Sequence, residues 1–133
     1  MVALFAARLD LATGEMVYTN AGQPPAMLIR AGGPVELLSE GGPILGAVQG
    51  TDFESHRTTL TAGDTLVIAS DGIHECRNRA DEEFGAKRLE EAALATRGLP
   101  AVAALFSILG AAQDFAGGRP QYDDLTLMTI HYR

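Results

Sequence analysis

The sequence predicts an α+β fold in which helices are laid on a sheet of mostly antiparallel strands. Three observations carry that prediction. The first 70 residues read as short strands separated by turn residues. Two helix-forming stretches follow, at about 83–97 and 99–116. The chain then closes on one alternating segment, "LTLMTIHY", at 125–132.

Taken in order, "VALFAARL" (2–9) is apolar with little period and reads as a strand buried on both faces. "DLATGE" supplies turn residues, and "MVYTNA" is a second strand, so the two make a hairpin. Pro24 and Pro25 stop regular pairing because they lack a donor. Strands at 26–30 and 35–38 flank Gly32-Gly33 as another hairpin, and the glycine-rich "SEGGPILGAVQGT" reads as a loop. Residues 53–60 alternate imperfectly, and "TAGD" turns the chain into the strand "TLVIA" (65–69). "EEFGAKRLEEAALATRG" is rich in helix formers and stops at Gly98. "LPAVAALFSILGAAQDFAGG" is a second helix, with Pro100 at its start and Gly117-Gly118 at its end, apolar over much of its circumference and so expected to be largely buried. In the last strand Leu125, Leu127 and Thr129 share one face, and Thr126, Met128 and Ile130 the other.

The bulk numbers set bounds. At 133 residues the chain suits one domain, and 47% hydrophobic with 20% charged residues is a globular composition. A net charge of −7 argues against nucleic acid or an anionic membrane surface as partner. The single cysteine, Cys76, excludes an intramolecular disulfide and a cysteine-cluster zinc site. No stretch is apolar enough for a membrane span and the start is unlike a signal peptide, so the expected location is cytoplasmic.

The acids raise the functional question. Asp71 follows the strand 65–69, and Asp123 and Asp124 precede the last strand. Were these strands antiparallel neighbours, Asp71 would meet the Asp123-Asp124 pair. Like charges so placed repel unless a cation lies between them, and a hard divalent cation suits oxygen ligands. The other reading of the same spacing is plain turn chemistry at Asp71-Gly72 and an exposed capping pair at Asp123-Asp124.

Five motifs occur in an order that resembles one family: "NAGQPP" (20–25), "GGPILG" (41–46), "LTAGDTLVIASDGIHE" (60–75), "FGAKRL" (84–89) and "YDDLTLMTI" (122–130). Over nearly its whole length, residues 2–130, the chain resembles the C-terminal two thirds of the domain of the SpoIIE-like serine/threonine phosphatases of the PPM, or type 2C, metal-dependent superfamily. The resemblance implies a partial αββα sandwich and a centre of two Mn²⁺ or Mg²⁺ ions. It implies Asp71 and Asp123 as metal ligands and Asp124 as an outer or second-site residue. It implies hydrolysis of phosphoserine or phosphothreonine on a protein by activated water, with an anti-anti-sigma regulator as the expected substrate. Asn20 and Gln23 become candidates for substrate contact.

Two departures qualify it. Gln23 stands where the family has histidine, and glutamine carries no proton at neutral pH. No Gly-Gly-Asp, the family's further metal motif, occurs in the chain. The expectation is therefore a single domain, 1–133, truncated at its N-terminus, with an uncovered sheet that favours a homodimer or oligomer. A non-catalytic module that binds a regulatory partner is the alternative. A cupin-like or cyclic-nucleotide-binding barrel, suggested by "LTAGDTLVI", lacks the paired histidines of cupin metal sites, and such barrels do not carry "DDLT" after a long helix.

Overall fold

The structure is a computed structural model and describes residues 1–133. Its first hairpin joins β1 (Leu4–Leu9) to β2 (Glu15–Ala21) in antiparallel register, Leu9 opposite Met16. The second edge of β2 is shared. β6 (His56–Thr59) pairs with it antiparallel along residues 15–18, and the two-residue β5 (Gly41–Gly42) pairs parallel at Asn20 and Ala21. A second sheet has the order β4-β3-β7-β8, all antiparallel, from β3 (Ala26–Ile29), β4 (Val35–Leu38), β7 (Thr65–Ala69) and β8 (Leu127–His131). Between β7 and β8 lie α1 (Asp71–His74), α2 (Gly85–Leu94) and α3 (Ala101–Ala116).

Strand alternation gives the second sheet two apolar faces. Met27, Ile29, Val67 and Ala69 face the helices, where Leu89 and Ala93 of α2 and Ile108 and Ala112 of α3 complete one core. Ala26, Leu28 and Leu66 face the first sheet and pack with Met16, Tyr18 and Leu60 in the other. The layers are thus helices, sheet, sheet, which is the partial αββα arrangement expected. No helix covers the outer face of the first sheet. No helix is long and apolar enough to cross a membrane.

Four local expectations are corrected. β1 is an edge strand, not one buried on both faces: it pairs with β2 alone, Phe5 and Leu9 pack inward, and Leu4 is 43% exposed. The glycine-rich loop contributes β5. The helices start later than drawn: α2 begins at Gly85 and α3 at Ala101, and an extra single turn, α1, begins at Asp71. Finally, α3 buries fully only Ala104, Ile108 and Ala112, while Val102 and Phe106 point outward at 69% and 63% exposure. Apolar composition all round does not bury a helix that one sheet touches on one side.

The end of the second sheet away from Asp71 is fixed by a buried carboxylate. Asp64 accepts hydrogen bonds from the amides of Thr61 (2.9 Å) and Ala31 (2.8 Å) and from Arg30 Nη1 (2.8 Å). Arg30 also donates to both carboxylate oxygens of Glu36 at 2.9 Å. Burial opposes ionisation of Asp64, but the Thr61 and Ala31 amides and the Arg30 guanidinium outweigh it and hold its carboxyl below the usual range.

A group with a depressed folded pKa stabilises above its unfolded value, about 3.9 for Asp, and loses that contribution as the pH falls through its folded value. Asp64→Ala is expected to cost about 3 kcal/mol at pH 7, the low end for breaking a buried pair because Arg30 keeps 21% exposure. Urea denaturation at pH 7 and in strong acid should show the difference between parent and variant shrinking in acid; a difference independent of pH would contradict this account. On α3, Ile108→Ala should cost about 2–5 kcal/mol and Phe106→Ala within about 0.5 kcal/mol by the same measurement.

Candidate metal centre

The antiparallel pairing of β7 with β8, Ala69 opposite Leu127, brings the acids to one end of the sheet. Beyond that pair the two segments remain joined. The Ser70 amide donates to the Thr126 carbonyl at 2.9 Å, and the Thr126 amide donates to Ser70 Oγ at 2.9 Å. Ser70 Oγ in turn donates to the Asp124 carbonyl at 3.4 Å. Gly72 is buried, and a Cβ there would fall 2.2 Å from the Asp124 carbonyl oxygen. Glycine at 72 is what allows the backbone that carries Asp71 to touch the backbone that carries Asp124, the close approach for which its lack of a side chain suits it.

Asp71, Asp123 and Asp124 are all exposed at this junction. Asp123 Oδ1 accepts from the Asp124 amide at 2.8 Å, and Gln121 Nε2 donates to the Asp123 carbonyl at 2.7 Å. The structure brings the three acids onto facing segments, but no group of three or more His, Cys, Asp or Glu side chains stands close enough to hold a metal ion. The donor chemistry fits a hard divalent cation held by one or two carboxylates that keeps several of its waters, as Mg²⁺ commonly does. It does not fit a site enclosed by protein ligands.

The neighbours have distinct roles. His74 is half-buried and its Nε2 has no hydrogen-bond partner. Burial pushes its pKa down, against the charges of Asp71 and Glu75, which favours the neutral ring. A cleft of about 630 Å³ opens beside Asp123, lined by Gly72, Cys76, Arg77 and Arg119 among others. Burial pushes the Cys76 thiol up, which makes it a poor nucleophile.

The two candidate substrate contacts are placed differently. Asn20 is 2% exposed; its Oδ1 accepts from the Gln23 amide at 2.9 Å and its Nδ2 donates to the Leu38 carbonyl at 3.3 Å. Its side chain is committed to the turn. Gln23 is half-buried and shares a groove between the sheets with Ser70 and Thr126. Its Nε2 donates to the Ala3 carbonyl at 3.4 Å. Sequence reasoning passed over Ser70, whose hydroxyl ties the facing segments. Its only signal was a small hydroxyl residue directly before Asp71 at a strand end.

Comparison with known proteins agrees with this architecture. The family model described as Stage II sporulation protein E (SpoIIE) matches residues 1–133. Protein IcfG of Synechocystis sp. is 28% identical over 131 residues, 96% of this chain and 20% of its own length. Phosphoserine phosphatase RsbP of Bacillus subtilis is 31% identical over 65 residues, 49% of this chain and 16% of its own. The solved phosphatase domain of the cell fate determinant SpoIIE from Bacillus subtilis, from manganese-presoaked crystals, superposes with a TM-score of 0.73 at 18% identity. That match covers 97% of this chain and 56% of the solved one. The chain therefore spans about a fifth of IcfG and just over half of the solved SpoIIE domain. From the match along its whole length, the chain belongs to the SpoIIE family and has the fold of the PPM, or type 2C, phosphatase domains.

Proposed function

We propose that this domain hydrolyses phosphoserine or phosphothreonine on a protein substrate, with Asp71 and Asp123 as ligands of Mn²⁺ or Mg²⁺ and Asp124 beside them. The observation that carries the reading is the junction at Ser70 and Gly72, which holds the Asp71 and Asp123-Asp124 segments together at one sheet end. The family match and the phosphoserine phosphatase RsbP support the reaction class. The manganese-presoaked SpoIIE crystals and a magnesium complex of RsbX, whose fold matches with a TM-score of 0.65, support the metal class. An anti-anti-sigma type regulator is the substrate we infer from the family, and the cytoplasm the place.

Bound at this end of the sheet, a divalent cation supplies neutralisation of phosphoryl oxygens and a water of lowered pKa. The chain's own residues do the rest. Asp71 and Asp123 present carboxylate oxygens, and Ser70 fixes the separation of the segments that bear them. Gln23 can orient a polar group from the groove but cannot exchange a proton. The raised Cys76 thiol is consistent with a reaction that uses no cysteine nucleophile. One observation favours the second reading, a phosphatase-like module that binds a regulatory partner without catalysis: no three metal-binding side chains converge.

Calorimetry with Mn²⁺ separates the two. Weak binding to the parent chain, abolished by both Asp71→Asn and Asp123→Asn, is the expected result; no binding at millimolar Mn²⁺ would move the binding module ahead. We propose also that the chain associates through its open sheet, because β1 and β8 each pair with one strand only. Light scattering should give a mass above the 14.0 kDa of one chain, and a clean monomer at working concentration would count against association.

A further inference from the structure

We propose that Arg119 is a positioning residue: latched to the Asn78 carbonyl and the Asp81 carboxylate, it holds the loop that carries Asp123 in place opposite Asp71. The inference rests on the metal-site reading above and adds to it a residue that lies outside the acids.

The loop between α3 and β8 is anchored at its far end by Ser70, as described. Its near end begins with Gly117 and Gly118, both at positive φ (60° and 83°), which reverse the chain but offer no side chain to hold it. Arg119 comes next. Its Nη1 donates to the Asn78 carbonyl and to Asp81 Oδ1, both at 2.8 Å, and its side chain is 26% exposed. From 118 to 123 no other side chain bonds to the rest of the protein. Gln121 reaches only Asp123 within the loop, and Tyr122 is 94% exposed. The cleft of about 630 Å³ borders this stretch, so little packing substitutes for the tie.

The receiving loop is built to stay still. Asn78 Oδ1 accepts the amides of Ala80 (2.9 Å) and Glu82 (3.0 Å). Arg77 donates to the Asp81 carbonyl at 2.9 Å and to Glu83 Oε1 at 2.6 Å. The Phe84 amide closes on the Cys76 carbonyl at 2.7 Å. Asp81 is the one residue other than glycine with a positive φ, 65°. A backbone in that sparsely used region, which aspartate adopts more readily than most residues, persists when its surroundings fix it. Here it aims one carboxylate at two guanidiniums. Arg119 first, then Arg77, holds the Asp81 carboxyl below the usual range.

An ion pair this exposed contributes little to global stability. Its effect is expected in the order of the loop and in what the loop presents. The test uses the metal-free chain, labelled with ¹⁵N, as parent, Arg119→Gln and Arg119→Lys. Amide exchange and heteronuclear NOE values at residues 121–124 are read beside the urea midpoint, and Mn²⁺ titration by calorimetry follows on the same proteins. Arg119→Gln should loosen residues 121–124 with an unchanged midpoint and weaken Mn²⁺ by about tenfold or more, as loss of a ligand-orienting partner does. Arg119→Lys, which keeps the charge, should recover part of both. Unchanged loop order in Arg119→Gln overturns the proposal, and so does a disordered loop with parental Mn²⁺ affinity. If the parent binds no Mn²⁺, the metal reading fails separately, and loop order alone decides whether Arg119 is the latch.

Discussion

The antiparallel register between β7 and β8 is the constraint on which the rest of the molecule depends. It sets Ala69 against Leu127 and so places Asp71 and the Asp123-Asp124 pair at one sheet end. It also decides which side chains face which core. Val67 and Ala69 look toward the helices, and Leu66 looks toward the first sheet. A slip of one residue would exchange those faces and separate the acids in the same step. Core packing and the placement of the acids are therefore written into one register, with the apolar strand serving as a rigid mount for polar residues just beyond its end.

The two ends of that strand use carboxylates in opposite ways. Asp64 lies at the start of β7, buried, with its charge answered by two amides and an arginine. Asp71 lies just past the other end, exposed. A buried acid already bonded at both oxygens has little left to offer a ligand. An exposed acid on a fixed backbone contributes little to folding and remains available. The contrast separates a carboxylate spent on structure from one left free without appeal to their sequence surroundings, since both Asp64 and Asp71 sit beside a glycine at the edge of the same apolar run.

Much of this was legible beforehand. Both hairpins announced themselves through turn residues, and the last strand through alternation, because turn chemistry and period two are local signals. The meeting of Asp71 with Asp123-Asp124 followed from assuming that two strands were neighbours. What stayed hidden depended on partners. β1 and α3 are apolar enough to be buried, yet β1 pairs along one edge and α3 buries one stripe only, and composition does not count neighbours. Asn20 looked available for a substrate, but its bond to the Leu38 carbonyl exists only once β2 and β4 have folded together. Ser70, Asp81 and Arg119 act through contacts 38 to 56 residues away in sequence, beyond any periodic pattern.

The lone thiol has a practical meaning. Cys76 lines the cleft beside Asp123, and its Sγ approaches the Ala112 carbonyl of α3 at 3.7 Å. With no second cysteine in the chain, a maleimide or nitroxide reagent has one address. The upward-shifted thiol makes that labelling slow at neutral pH and faster in mild alkali. A probe attached there sits between the loop of Arg77 and the loop of Asp123, where its spectrum reports the opening of the cleft with no engineered residue needed.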